Sequence, residues 1–189
     1  MIRTMDNAPP SKSKTSSLSG PIQVTDGLYL SNASVASNYI CLTAHRITCV
    51  ISVYLENTDH HYPNFQYLHF PMSDTPDTFL FEHFEIISDK IRIVESNGGR
   101  TLLHCAAGIS RSPSLCLAYL MKNNGLSLLA AHTLLKKRRP IIRPNYGFWE
   151  QLIRYEMELF GKNTVQMVNS PMGLIPDIYE EETKNMIPF

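Results

Sequence analysis

Cys105, Arg111 and Ser112 are the residues whose types and spacing can do chemistry in this chain. They lie in Leu102-Leu103-His104-Cys105-Ala106-Ala107-Gly108-Ile109-Ser110-Arg111-Ser112, where an apolar run ends in a cysteine and a short stretch of small or apolar residues leads to an arginine and a hydroxyl. Pro113 follows, a residue favoured in a first helical turn. The order reads as strand, tight loop, helix N-terminus. Such a loop can turn successive backbone N–H groups inward as an anion-binding nest, reinforced by the positive end of the helix dipole. The same field favours a thiolate over a thiol. Arg111 adds a planar, permanently charged fork that two phosphate oxygens can take together. A thiolate at the bottom of a phosphate cradle is a nucleophile aimed at phosphorus. A lone cysteine closing an apolar strand is ordinarily a packing residue. The whole pattern His-Cys-x-x-Gly-x-x-Arg-Ser outweighs that reading, because it fixes several identities at set spacing between a strand and a helix.

This pattern resembles the signature loop of the cysteine-dependent protein phosphatases, and its wording here is similar to the dual-specificity branch. Arg139-Pro140-Ile141-Ile142-Arg143-Pro144-Asn145, followed by Gly147-Phe148-Trp149, is similar to the small atypical members that lack a kinase-docking domain. The resemblance runs from Ile22 to Pro188. It implies a protein phosphatase that hydrolyses phosphotyrosine and phosphoserine or phosphothreonine through a cysteinyl-phosphate intermediate, with no cofactor and no metal. Cys105 is then the nucleophile. The backbone N–H groups of Ala106, Ala107, Gly108, Ile109, Ser110 and Arg111, with the Arg111 fork, hold the phosphate. The Ser112 hydroxyl can hydrogen-bond the sulfur and make it a better leaving group, or cap the helix, or both. His104 is expected behind the nucleophile, fixing the loop by hydrogen bonds, with Asn145 a further supporting residue.

The general acid is missing from this loop. The resemblance assigns it to Met72-Ser73-Asp74-Thr75-Pro76-Asp77. Asp74 matches best; Asp77 is the alternative, and it can equally cap a helix starting at Thr78. Two other functions compete. A phosphoinositide or RNA-end phosphatase on the same scaffold calls for basic residues inside the loop, and the interior Ala-Ala-Gly-Ile-Ser is neutral. A phosphoprotein-binding module with a dead site calls for a replaced nucleophile, and Cys105 and Arg111 are both in place. A metal-dependent phosphatase is disfavoured because no Asp/His ligand cluster appears.

The elements that must position these residues follow from periodicity. The chain has 189 residues, 43% of them hydrophobic, and a formal net charge of zero, the make-up of one globular domain with a sizeable core. Zero net charge gives no global drive toward nucleic acid or an anionic membrane, and no apolar run approaches a membrane span. Residues 1–20, rich in Ser, Lys, Thr and Pro, read as a disordered tail without a secretory core. The catalytic domain is expected over 21–162, and 163–189 as an extension packed on its surface. Short strands are expected at Ile22–Val24, Leu28–Leu30, Ile47–Val53, Gln66–Phe70 and Thr101–His104. Helices are expected over 33–45, 78–96, 112–122, 127–138 and 146–160. Lys136, Lys137, Arg138 and Arg139 complement a helix C-terminus or form a docking patch for an acidic partner. His60-His61 reads as solvated loop. Alternating strands and helices give an α/β domain, and the resemblance implies a mostly parallel sheet of about five strands flanked by helices, with the phosphate loop between a central strand and a helix.

Cys41, Cys49, Cys105 and Cys116 show no CxxC pairing, which suits reduced thiols in the cytoplasm or nucleus; the resemblance adds mitochondrial association. The expected partner is a phosphoprotein, with a signalling kinase among the candidates. Nucleic acid and an integral membrane segment are not expected, and nothing in the sequence assigns an oligomeric state.

Overall fold

The computed structural model describes residues 20–56 and 61–184. The tail expected over 1–19, His60 of the histidine pair and the last residues of the C-terminal extension lie outside the described residues.

Three strands are buried on both faces and form the middle of the sheet. They are β2 (Leu28–Asn32), β3 (Cys49–Ser52) and β5 (Thr101–Cys105). Their neighbours β1 (Ile22–Gln23) and β4 (Gln66–His69) form the edges, in the order β1-β2-β5-β3-β4. Only the β1–β2 pair is antiparallel. Continuous apolar runs of this kind belong to parallel sheets covered on both sides. Alternation then sorts the side chains. Tyr29, Val50 and Leu102 face a smaller cluster with Ala36, Leu42 and Ile47. Leu28, Leu30, Ile51, Leu103 and Cys105 face the main core.

That main core is closed by α3 (Glu82–Ser96), α4 (Arg111–Asn124), α5 (Leu128–Arg138) and α6 (Tyr146–Phe160). On α3 the buried positions Phe84, Ile87 and Ile91 make one stripe, as the spacing predicts. α4 stops where Gly125 adopts φ 64°, the left-handed cap that glycine takes without strain. Ser127 caps α5 by accepting from the Ala130 N–H, and Asn145 caps α6 from the Phe148 N–H. The Glu156 carboxylate is buried and accepts from the Leu128 N–H at 2.8 Å and the Thr164 N–H at 2.7 Å, so a charge from α6 closes the positive end of α5.

Three expectations differ. The helix expected over 33–45 is two, α1 (Ala33–Ala36) and α2 (Tyr39–Ala44), because Asn38 accepts from the Cys41 N–H and starts a new cap. Asn competes with the helix for backbone donors in this way. The helix expected from Thr78 starts at Glu82 instead: the Thr75 and Thr78 hydroxyls bond each other and the Gln151 amide takes the Thr78 carbonyl, holding 75–81 as a turn. Asp77 therefore does not cap that helix.

The third concerns the basic run after Leu135, which is neither dipole compensation alone nor a free patch. Lys136 donates to the Ile142 carbonyl, Arg138 to the carbonyls of Gln23 and Val24, and Arg139 to those of Ala107 and Gly108.

Beyond α6 the chain forms a hairpin, β6 (Met167–Ser170) with β7 (Gly173–Pro176), then a 3-10 turn at Asp177–Tyr179 and α7 (Glu180–Thr183). The buried Tyr179 ring stands against His132 and Trp149, and its hydroxyl is 3.1 Å from His132 Nε2. Burial, with Lys136 nearby, pushes the His132 imidazole down to about 4. The unfolded chain therefore binds a proton that the native state refuses between pH 6.5 and 4. Stability from this group is complete above about pH 6.5 and declines as pH falls through that window, by up to about 3 kcal/mol. Urea titrations at pH 7 and pH 4.5 check this: wild type should lose more stability between them than His132→Gln, which carries no titrating ring.

Candidate active site

β5 ends at Cys105 and α4 begins at Arg111, so the intervening loop must reverse direction over very few residues. Every carbonyl in it from Ala106 to Ser110 is held by a donor. The Ala33 N–H donates to Ala106 O at 3.2 Å, Arg139 Nη2 to Ala107 O at 3.1 Å, Arg139 Nε to Gly108 O at 2.8 Å and the Arg143 N–H to Ile109 O at 2.8 Å. Ser110 O accepts from both the N–H and the hydroxyl of Ser114, the latter at 2.8 Å. In a trans peptide the carbonyl and the next N–H point opposite ways. The N–H groups of residues 107–111 are thereby turned away from these donors, making a concave set that can hold an anion.

Cys105 Sγ lies on that inner side. It accepts from the Gly108 N–H and from the Ser112 hydroxyl, each at 3.2 Å. Gly108 has φ 67°, and a Cβ there would stand 2.5 Å from the Ser31 carbonyl and 2.9 Å from Arg139 Nη2, so the loop passes between strand and arginine only as glycine. Ser112 is not the helix cap. That position belongs to Ser110, whose hydroxyl does not cap the helix either but donates to Asp74 Oδ1 at 2.7 Å.

Asp74 follows β4 and arrives at the mouth of the loop. Its Oδ1 also accepts from Asn145 Nδ2 at 2.9 Å, and Arg111 Nε lies 3.5 Å from its Oδ2. Arg111 Nη1 donates to the Met72 carbonyl at 3.0 Å, so its fork bridges the loop after β5 and the Asp74 loop. Asn145 uses each of its polar groups: Oδ1 caps α6, Nδ2 holds Asp74 and its N–H donates to Ser110 Oγ at 3.1 Å. Gly147, on the first turn of α6, closes the arrangement; a Cβ there would stand 2.0 Å from the Pro76 carbonyl.

The sequence-derived candidates thus fall into one site, with qualifications. His104 is buried and bonds Ser52 of the neighbouring strand at 2.7 Å, a tie within the sheet. Asp77 is fully exposed, and its hydrogen bond with Thr75 holds its carboxyl below the usual range. His61 stacks on Tyr67. Among the described residues no group of three His, Cys, Asp or Glu side chains could hold a metal ion.

Sequence reasoning missed Arg139 and Gly147. Arg139 had a signal, since it stands beyond the last turn of α5, before Pro140, where helix-end compensation no longer needs it. Gly147 had none, because its reason is the backbone of a distant loop.

Residues 28–158 match the family model for the dual specificity phosphatase catalytic domain. The chain is 58% identical over 172 residues to dual specificity protein phosphatase 18 of Pongo abelii, covering 91% of this chain and 92% of that protein. It is 49% identical to dual specificity protein phosphatase 14 of Mus musculus, covering 91% of this chain and 87% of the relative. Among solved structures, a mouse putative dual specificity phosphatase complexed with zinc tungstate matches with a TM-score of 0.72 at 32% identity, covering 85% of this chain and 96% of that one.

Gly147→Ala should force the Asp74 loop and α6 apart. A cost of about 1–3 kcal/mol is expected for overpacking of this kind. Thermal melting should show a fall of roughly 2–12 °C for a chain of this size, and turnover of an aryl phosphate should drop about 10-fold or more, because small displacements of a reacting group are expensive.

Proposed function

The chain belongs to the dual specificity phosphatase family, and from that premise we propose how its own residues carry the reaction. It is a protein phosphatase acting on phosphotyrosine and on phosphoserine or phosphothreonine. The observation that carries the assignment of roles is the convergence of a hydroxyl and a backbone N–H on Cys105 Sγ, at the bottom of a loop whose carbonyls are all engaged elsewhere.

Cys105 attacks phosphorus as a thiolate. The S–P bond forms as the bond to the leaving oxygen breaks. The N–H groups of the loop, from Ala106 to Arg111, and the Arg111 fork take up the charge on the equatorial oxygens. An incoming phosphate competes with Asp74 for Arg111; the released carboxylate takes up a proton from solvent as the substrate binds and gives it to the leaving oxygen. In the second step the Asp74 carboxylate takes a proton from water, the water oxygen bonds phosphorus and the S–P bond breaks. Ser112 Oγ donates to the departing sulfur. Ser110 and Asn145 hold Asp74 over this path, and His104 stiffens the strand behind Cys105. The low-lying carboxyl of Asp77, ionised and bonded to Thr75, argues against a proton-donating role there. No metal or cofactor enters any step.

The substrate is a phosphoprotein. A phosphorylated signalling kinase is the candidate class, with the Asp74 loop and the half-exposed Tyr146 flanking the site. The four cysteines are free thiols, which supports a reducing compartment, cytoplasm or nucleus; mitochondrial association rests on family resemblance alone. No helix among the described residues is long and apolar enough to cross a membrane. The domain read as catalytic spans 21–162, with the hairpin and α7 packed on it.

Cys105→Ser should abolish turnover yet retain phosphate binding, and EDTA should change nothing. Asp74→Asn should lower kcat by roughly 10²–10⁴ on a phenyl phosphate and by less when the leaving group needs no proton, while Asp77→Asn is mild. Retained activity in Cys105→Ser, or a crippled Asp77→Asn, overturns the assignment. Ser112→Ala should slow hydrolysis of the cysteinyl phosphate by about 10- to 100-fold, the weight of a hydrogen bond to a charged group. It would appear as a burst of leaving group followed by a slower steady state.

A further inference from the structure

Arg139 is a guanidinium buried to 2% exposure behind the phosphate loop. Its hydrogen bonds go to two neighbouring loop carbonyls, Ala107 O and Gly108 O. Among the described residues no carboxylate lies within ion-pair distance of it. A buried cation without a carboxylate is costly unless its donors are met by other acceptors. Burial pulls the guanidinium down from its usual range, with the Cys105 and Cys116 sulfurs acting in the opposite sense. Cys116 is fully buried and its thiol is pushed far above the ordinary range, so the carbonyls of Ala107 and Gly108 are the partners that hold the guanidinium.

We propose that Arg139 is a positioning residue of the phosphate site, which clamps the Ala107 and Gly108 carbonyls from behind so that the N–H groups of Gly108 and Ile109 face the phosphate. The clamp needs the shape of arginine. Nε and Nη2 diverge in one plane and reach two successive carbonyls, which a lysine ammonium on a flexible stem does with one carbonyl at best. The route is also confined: Gly108 runs with the Ser31 carbonyl and Arg139 Nη2 both at the position of a missing Cβ, so without the guanidinium the peptides at 107–109 gain room to rotate. Rotation of either peptide turns a donor out of the cradle and an acceptor carbonyl in, which repels an anion. Arg139 touches no reacting atom; it acts through the orientation of two peptides and through its charge. Arg138, its neighbour in sequence, is a natural contrast, since it donates to Gln23 and Val24 at the sheet edge.

This proposal rests on reading Cys105–Ser112 as the phosphate-binding loop, and the experiment separates the two. Tungstate binding is measured by titration calorimetry in a Cys105→Ser background, where no chemistry intervenes, alongside thermal melting of each protein. The variants added are Arg139→Met, Arg139→Lys and Arg138→Met. Arg139→Met should weaken tungstate binding by about 10- to 100-fold, the loss expected when charge-assisted orientation of two donors is removed. Arg139→Lys should recover part of the affinity, and Arg138→Met should match the parent. If Arg139→Met fails to fold, Arg139→Lys decides, because it keeps the buried charge and loses the fork. Parental affinity in a folded Arg139→Met or in Arg139→Lys overturns the clamp. Equal weakening in Arg138→Met also overturns it, because overall positive charge would then be responsible. A Cys105→Ser parent that does not bind tungstate at all overturns the reading of the loop itself.

Discussion

The rest of the structure depends on one constraint, that the carbonyls of residues 106–110 must all point away from Cys105. An anion cradle made of N–H groups is unstable by itself, because donors left facing each other without an acceptor cost about 1–3 kcal/mol apiece when water is excluded, and the chain would relieve this by rotating peptides. Rotation is prevented from outside. Five successive carbonyls are held by donors from four places: the start of α1, the end of α5, the α5–α6 connection and the first turn of α4 itself. No single element could do this. The parallel sheet is what brings them together, because β2 and β5 run side by side in register, Asn32 opposite Cys105, so that α1 begins where the loop does.

The same economy governs the mouth of the site. Ser110 stands in the loop but spends its hydroxyl on Asp74; Asn145 caps a helix and with the same side chain holds Asp74; Arg111 reaches back to the Met72 carbonyl. The Asp74 loop has little regular structure of its own, and its position is fixed by donors that belong to the loop after β5 and to α6. Coupling of this kind makes the effects of substitutions at Ser110, Asp74 and Asn145 non-additive, since each leaves a partner of the others unsatisfied. It also places the C-terminal segment within reach of the site. Tyr179 lies 4.5 Å beneath the Arg143 guanidinium, Glu182 pairs with that group, and the N–H of Arg143 holds Ile109.

Much of this was legible in the sequence, and the reason lies in locality. The strand, the loop and the helix around Cys105 are written in consecutive residues. Ser127 and Asn145 announce the helices they cap, and Gly125 ends the one before it, because caps are exchanges between a side chain and backbone a few residues away. Asp74 and Ser112 could be named from resemblance. The break at Asn38 was equally local and was overlooked, since one asparagine in a helical pattern reads as tolerated until its amide is seen to accept from Cys41. The late start of α3 was not local: Gln151, far along the chain, holds the Thr78 carbonyl and the Phe81 N–H that a helix would have used.

Arg139 marks the boundary of what a sequence can yield. In the chain it is the last of four basic residues and looks interchangeable with them. In the fold Lys136, Arg138 and Arg139 diverge, because each is at a different angle around the end of α5 and meets a different set of carbonyls. Lys136 turns toward the Tyr179 ring, Arg138 toward the edge strand and Arg139 inward to the loop. A helix separates successive side chains by about 100°, so a run of like charges at a helix end is dispersed over the surrounding surface by geometry alone. The function of each then depends on which unsatisfied carbonyl lies in its direction. Beside the loop after β5 that carbonyl belongs to Gly108, and a residue that composition would assign to the surface ends as a buried cation against that loop.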